Sequence, residues 1–223
     1  MGMQTGRFVM AAALVSLLTG CSGVESVTRS TALPGLIGGN PEEGVASVLM
    51  APAYAVQAVS VSVPRRLKVS EANLYFPVAD IVWRADPRGD RYAQVQAVFD
   101  AAMAMGTAAM TAGPAVTLDI EVTRFHALTE KARYTIGGSY SMRFLLTVRD
   151  AATGAIIDGP RPVNADTHAA GGDLALAEEA QGLTQKVVVT QRLAEVIAAE
   201  LTRPVAVPAA QPVLMSALAA PAN

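Results

Sequence analysis

Two stretches of strict alternation between apolar and polar residues constrain the fold of this chain more than any other feature. In residues 116–123, Val, Leu, Ile and Val alternate with Thr, Asp, Glu and Thr. In residues 140–149, aromatic and aliphatic residues occupy every second position. A period of two residues is typical of a strand with one buried and one solvated face. Because one face meets solvent, we expect an antiparallel or mixed sheet rather than a fully buried parallel one.

Further extended segments flank these two strands. Residues 59–63 alternate in the same way, residues 67–69 resume that strand after a bulge, and residues 79–83 form a short extended piece. Residues 150–154 are typical of a hairpin loop, so a return strand is expected to begin at residue 155. Two prolines in that return strand, at positions 160 and 162, predict an edge or a bulge.

Apolar residues at spacings of three and four predict two helices. The first begins near Asp90 or Arg91 and ends at Gly106 as a C-cap, and the second has its main run at residues 183–201 after an interruption near Gly182. The order of elements predicts an α+β domain in which a mainly antiparallel sheet of about four to five strands carries two helices on one face. The predicted core comprises Leu118, Ile120, Val122, Phe144, Leu146, Phe99, Leu193 and Ile197.

The start of the chain has the layout of a secretory signal. Residues 1–7 carry one positive charge, residues 8–18 are apolar except for one serine, and two small residues precede Cys21. The apolar run is too short for a membrane span, which needs about 20 apolar residues. Leu18-Thr19-Gly20-Cys21 resembles the lipobox of bacterial lipoproteins. The alternatives are an ordinary secretory signal with a chance cysteine and a membrane anchor that buries the cysteine.

The lipobox resemblance implies that Cys21 takes a diacylglycerol, that the chain is cut before it, and that the new amino group is acylated. Several acyl chains would anchor the protein in a membrane without a spanning helix. Ser22 favours the outer membrane, with the inner membrane as the alternative. Cys21 is the only cysteine, so a lipidated chain would have no thiol for a disulfide.

The predicted organisation of the chain has four parts. Residues 1–20 are the signal peptide, and residues 21–53, with several glycines and prolines, are a flexible tether. Residues 54–203 form the periplasmic α+β domain. Residues 204–223 are rich in Ala and Pro, which predicts a disordered tail.

Four segments of the predicted domain resemble an uncharacterised family of alphaproteobacterial lipoproteins. They are residues 69–73 (VSEAN), 80–84 (DIVWR), 89–91 (GDR) and 122–130 (VTRFHALTE). The likeness covers most of residues 56–204 and implies no activity, because the function of that family is unknown. In topology alone, the architecture is similar to small envelope lipoproteins that assist transport or outer-membrane assembly.

Charge and motifs give no support for a nucleic-acid partner, a cofactor or catalysis. The formal net charge is −2, whereas nucleic-acid binding favours a basic surface. His126 and His168 are the only histidines and lack the spacing of a helical metal motif, so we expect no metal site. No serine lies in a Gly-x-Ser-x-Gly motif, and Asp119 and Glu121 share a strand face that is expected to be solvated. We therefore expect a protein that is not an enzyme.

The connection at residues 124–134 is the candidate contact surface. It joins two strong strands but is longer than a tight hairpin needs, and such loops tend to carry function. The alternative is a solvated connector. Trp83 is predicted to be a core residue with a paired N–H rather than a contact. The leading hypothesis is a non-enzymatic lipoprotein that binds another envelope component, ahead of a carrier of lipid or small apolar ligands and of an envelope hydrolase. The candidate contact residues are Arg124, His126, Glu130, Lys131, Arg133 and Tyr134.

Overall fold

The computed structural model describes residues 47–208. Cys21, the predicted signal and the predicted tether up to residue 46 lie outside the described residues, as does the predicted tail from residue 209. The elements, in chain order, are β1 (Ser47–Met50), β2 (Ala55–Ser62), β3 (Ile81–Val82), α1 (Arg91–Thr107), β4 (Ala115–His126), α2 (Glu130–Arg133), β5 (Gly138–Asp150), β6 (Ile156–Asn164), β7 (Thr167–Ala169), α3 (Gly172–Ala180), α4 (Gln185–Leu201) and β8 (Val205–Pro208).

The main sheet has six strands and is mixed. Its path is β2-β4-β5-β6, with β3 added to β4 and β7 added to β5. β4, β5, β6 and β7 pair antiparallel, whereas β2 and β3 run parallel to β4. Parallel neighbours need a crossover connection, and α1 lies in the connection from β2 to β4. The predicted α+β class and the mainly antiparallel sheet are confirmed.

The predicted core is confirmed. All eight predicted core residues have an exposed fraction of 1% or less. Aromatic rings fill the centre: Phe99 meets Phe144 edge-on at a centroid distance of 5.7 Å, and Trp83 meets Phe125 at 5.2 Å. Burial of a Phe or Leu side chain contributes about 1.5–3 kcal/mol, so this cluster is the main source of stability.

A bulge carries β4 beyond its predicted end. The alternation predicts a strand that ends at Thr123 and a connection that begins at Arg124. The pairing register with β5 shifts between Val122 and Arg124, which adds one residue and returns Phe125 to the buried face. The strand therefore continues to His126, and the prediction of its end was wrong because a bulge interrupts the period of two.

The two long helices approach each other closely at Gly106. The α1 helix begins as predicted, because the Asp90 carboxylate accepts hydrogen bonds from two backbone N–H groups of the first turn. The predicted C-cap at Gly106 was wrong, since the helix continues to Thr107. A Cβ at Gly106 would collide with the side chain of Ile197 and the carbonyl of Ala194 on α4. The glycine therefore permits this close packing of helices.

Several short elements differ from their predicted boundaries. β1 and β8 pair antiparallel, so the predicted tether and the predicted tail each contain one strand. Residues 67–69 form no strand, and Val69 makes a single bridge to Ile81. The predicted interruption at Gly182, whose φ is +82°, separates α3 from α4. Within residues 47–208, no helix is long and apolar enough to cross a membrane.

Candidate functional site

The predicted contact segment folds as the end of a strand followed by one short helix. Arg124 and His126 lie on β4, which ends at His126. Thr129 caps α2, because its hydroxyl accepts a hydrogen bond from the N–H of Ala132 at 3.2 Å. The α2 helix contains Glu130, Lys131 and Arg133, and Tyr134 follows it. The segment is therefore a structured support rather than an open loop.

A second segment, residues 73–79, lies against this support, and we name it the apolar loop. The Thr129 hydroxyl donates a hydrogen bond to the carbonyl of Leu74 at 2.8 Å. The Nε2 atom of His126 lies 3.0 Å from the carbonyl oxygen of Pro77. Side chains from β4 and α2 thus bind the backbone of the apolar loop at two points.

Two basic residues of the predicted contact set hold the same loop. The backbone N–H of Lys131 donates to the Asn73 side-chain oxygen at 2.8 Å, and its ammonium lies 4.5 Å from the ring centroid of Tyr75. The guanidinium of Arg124 donates to the carbonyl of Ala79 at 3.3 Å. Together with Thr129 and His126, these contacts fix both ends and the middle of the loop.

The apolar loop presents large apolar side chains to solvent. The exposed fractions are 53% for Leu74, 39% for Tyr75, 81% for Phe76 and 100% for Val78. Exposed apolar surface costs about 25 cal/mol per Å², and grouped exposure of this kind marks interaction sites. Sequence reasoning missed this segment. The signal that could have found it is the run LYFPV, without charge and without helix or strand periodicity.

A network of arginines and glutamates connects the start of the apolar loop to α2. Arg84 donates to the Glu71 carbonyl at 2.7 Å and forms an ion pair with Glu130. The buried Arg91 donates to the Glu71 carboxylate at 2.6 Å. That hydrogen bond is the main reason that the pKa of Glu71 lies below its usual value, although desolvation opposes it. Burial is the largest single influence on Glu130 and raises its pKa, but the hydrogen bond from Arg84, a backbone hydrogen bond and the charges of Arg84 and Arg91 together lower the pKa below its usual value.

The side chain of Arg133 is buried in the domain and does not form part of the exposed surface. Its exposed fraction is 3%, and its guanidinium donates to the Glu179 carboxylate at 2.8 Å and to the Tyr140 hydroxyl at 2.9 Å. The Nη2 atom of Arg133 has no hydrogen-bond partner among the described residues. Burial raises the pKa of Tyr140 to about 12. A side chain this buried cannot meet a partner in this conformation, whereas the neighbouring Tyr134 is exposed and donates to Glu179 at 3.4 Å.

A cleft of about 300 Å³ is lined by Glu130 and Arg133 of α2 and by Tyr134, and Lys131 does not line it. Its charged walls are paired, because Arg84 contacts Glu130 and Arg133 contacts Glu179. The side-chain amide of Gln185 fixes one wall by hydrogen bonds to the backbone of Leu128 at 3.1 and 3.3 Å. The cleft therefore combines opposite charges that cancel. The lining residues are Arg84, Ala85, Leu128, Glu130, Arg133, Tyr134, Glu179, Thr184 and Gln185.

The other candidate residues lie apart from this site. In the part of the chain that the structure describes, no group of three or more His, Cys, Asp or Glu side chains could hold a metal ion. His168 is exposed on β7. Asp119 and Glu121 lie on the outer sheet face and form ion pairs with arginines. Trp83 is fully buried, and its N–H donates to Asp86 at 2.7 Å, as predicted.

The fold and this surface define a small α+β domain that presents a supported apolar loop. The chain belongs to DUF6778, a family of unknown function, whose sequence profile matches residues 54–217. This agrees with the resemblance to a family without known function that the sequence motifs indicate. The lipobox and an alphaproteobacterial origin stay predictions.

Comparison with known proteins gives distant likenesses only. No curated protein matches the sequence. The protein XCC0632 from Xanthomonas campestris, of the family DUF330, is 11% identical over 69% of this chain and 85% of its own, with a TM-score of 0.42. A Caulobacter crescentus CB15 protein, described only provisionally as a lipoprotein, is 16% identical over 48% of this chain and 80% of its own, with a TM-score of 0.28. Scores this low transfer neither function nor site.

Proposed function

We propose that this chain is a lipid-anchored, non-enzymatic protein of the bacterial envelope that binds another envelope protein through the apolar loop. The observation that carries the proposal is the exposure of Leu74, Tyr75, Phe76 and Val78 on a backbone fixed by neighbouring side chains. A preorganised loop loses little conformational freedom on binding, which favours affinity. The lipid on Cys21 and the outer-membrane location rest on the sequence alone.

The structure favours a protein partner over an apolar ligand carried inside the domain. A carrier needs a mostly apolar pocket of about 300–1,000 Å³. Four clefts among the described residues measure about 280 to 370 Å³, and each is lined by at least one charged side chain. The space between sheet and helices is filled by fully buried aromatic and aliphatic residues. The apolar surface that remains for binding is on the outside.

The chemistry of the loop indicates the character of the partner. Aromatic residues dominate interface hot spots, and Tyr75 and Phe76 are the aromatic residues of the loop. No charged residue lies between positions 73 and 79, and the Lys131 ammonium lies over the Tyr75 ring. The matching surface is therefore an apolar pocket of a protein, with a carboxylate at its rim.

Site-specific photocrosslinking in native membranes tests the proposal. A benzoylphenylalanine in place of Phe76 should crosslink to one protein, because the side chain enters the partner. The same replacement at Ile156, exposed on the opposite edge of the sheet, is the matched control and should give no such product. Crosslinks to lipid alone, or equal products from both positions, would contradict docking through the loop.

The anchor is tested separately. Metabolic labelling with a clickable fatty acid should mark the wild-type chain and leave Cys21→Ser unlabelled, because the thioether needs the thiol. Undiminished label in the variant would show that Cys21 is not the lipidation site. A negative result in the crosslinking experiment at position 76 would not affect the labelling result at position 21, and the reverse also holds. The two experiments therefore test the binding surface and the lipid anchor separately.

A further inference from the structure

The two edges of the main sheet differ in how they are protected. The edge strand β6 contains Pro160 and Pro162, carries charged residues, and shifts its register against β5 twice. These features discourage pairing with another strand. The opposite edge strand, β2, has the sequence AVQAVSVS, without proline, glycine or charge; its one register shift against β4 lies at Gln57, and residues 58–62 pair regularly. An unprotected edge is a template for strand addition.

Most of the outer edge of β2 has no strand partner among residues 47–208. Its first residues are covered, because Val56 donates to the carbonyl of Met110 at 2.9 Å and Ala55 bridges to Thr111. From residue 57 to residue 62, β2 pairs only with β4 among the described residues. A strand backbone carries hydrogen-bonding groups on both of its sides, so the outer groups of residues 57–62 are available to one further strand.

A groove between β2 and α1 borders this edge. It measures about 370 Å³ and is lined by residues 56–59 of the strand and by Asp100, Ala104 and Thr107 of the helix. The helix-side residues are spaced at three and four positions, so they share one face of α1. A groove between an edge strand and a helix is a setting in which extended peptides bind, with main-chain pairing for affinity and side-chain contacts for specificity.

Asp100 gives the groove its charge. Its carboxylate is exposed and forms no ion pair or hydrogen bond with another described residue, and partial desolvation raises its pKa. The complement of this carboxylate is a lysine or arginine side chain. A second copy of β2 would bring no cation to Asp100, because the strand is uncharged. The charge therefore favours a strand from a different protein over self-association.

We propose that β2 accepts an extended strand of a partner protein along residues 57–62, with a basic side chain of that strand placed against Asp100. The new strand would extend the sheet at its unprotected edge. This surface is separate from the apolar loop, so the inference stands whether or not the loop binds a partner.

Two synthetic peptides test the inference on the full-length protein in detergent micelles. One is Ac-TVKVTVKT-NH2, and the other carries glutamate at both lysine positions. Hydrogen–deuterium exchange should slow at residues 57–62 when the lysine peptide is present, because its backbone would cover the strand. Fluorescence anisotropy should show tighter binding of the lysine peptide than of the glutamate peptide.

Matched variants separate strand pairing from nonspecific binding. Ala58→Lys adds a charge to the exposed edge and should weaken lysine-peptide binding at least about tenfold. Ile157→Lys adds the same charge to the β6 edge and should leave binding unchanged. Asp100→Asn should weaken it about threefold and remove the preference over the glutamate peptide. Unslowed exchange at residues 57–62, equal binding by Ala58→Lys, or dimerisation of the protein through β2 would overturn the inference.

Discussion

Phe144 and Phe76 place the same side chain in opposite surroundings. Phe144 is fully buried between sheet and helices and packs edge-on against Phe99, whereas Phe76 is 81% exposed at the tip of the apolar loop. The interior phenylalanine is held by its own packing. The position of Phe76 is fixed through the loop backbone, because Thr129 binds the carbonyl of Leu74 and His126 contacts the carbonyl of Pro77. The loop therefore does not depend on its exposed apolar side chains for its structure, so these side chains are available for binding.

The largest expected effect separates these two phenylalanines directly. Phe144→Ala should lower the free energy of unfolding by about 3–5 kcal/mol, because it opens a cavity in a packed core. Phe76→Ala is the matched control and should change it by less than about 0.5 kcal/mol, since the side chain is solvated. Chemical denaturation of both variants measures the two values. Similar losses of stability would refute the division between core and loop.

Arg133 extends the comparison to charged residues, because it belongs to the interior although it was predicted as a contact. Arg133→Met should destabilise the domain by about 1–3 kcal/mol, since it leaves Glu179 and Tyr140 without their buried donor. Arg143→Met breaks the exposed pair with Asp166 and should cost less than about 1 kcal/mol. Equal melting temperatures of the two variants would contradict the interior role of Arg133.

Thr129 links the stability of α2 to the order of the apolar loop. Thr129→Val keeps the volume but removes the helix cap and the hydrogen bond to Leu74, so it should cost about 1 kcal/mol and speed amide exchange in residues 73–79. Thr117→Val, at a half-buried position on β4 whose hydroxyl makes no hydrogen bond to a described residue, is the control. Unchanged exchange in the loop would show that Thr129 does not support it.

Acid should weaken the network beside the loop by a small amount. The folded-state pKa of Glu71 is lowered, so the stabilisation is present above the unfolded value of 4.5 and is lost as the pH falls through the folded pKa. Glu71→Gln should therefore lower the melting temperature at neutral pH, and its difference from wild type should narrow as the pH falls below 4.5. The exposed Glu195→Gln is the control. A difference that stays constant over this range would contradict the role of Glu71.

The sequence predicts the regular parts of this domain well, because period-2 and helical patterns dominate them. The eight core residues and the start of α1 after Asp90 follow from such patterns, and the paired N–H of Trp83 follows from the chemistry of a buried indole. Events that interrupt a pattern were missed. The bulge at Thr123 shifts the alternation, and Gly106 is fixed by α4, which is distant in sequence.

The site was predicted in part, for a related physical reason. The segment at residues 124–134 was identified from its length and polarity, but all six of its candidate side chains contact other residues of the domain. Arg133 is buried because Glu179, 46 positions away, pairs with it, and no local pattern reveals such a partner. The apolar loop was missed because exposure of LYFPV depends on its support by β4 and α2 rather than on its own periodicity.

Hydroxyl-radical footprinting tests the central claim most directly, because it reports whether the loop is covered in its native setting. Oxidation of Tyr75 and Phe76 would be compared between intact cells and the purified protein, with Ile156 and Ile157 on the same molecule as the internal control. The account predicts that the two loop residues are protected in cells and oxidised after purification, while the two isoleucines on β6 react alike in both. Equal oxidation of Tyr75 and Phe76 in cells and in the purified protein would contradict docking through the apolar loop.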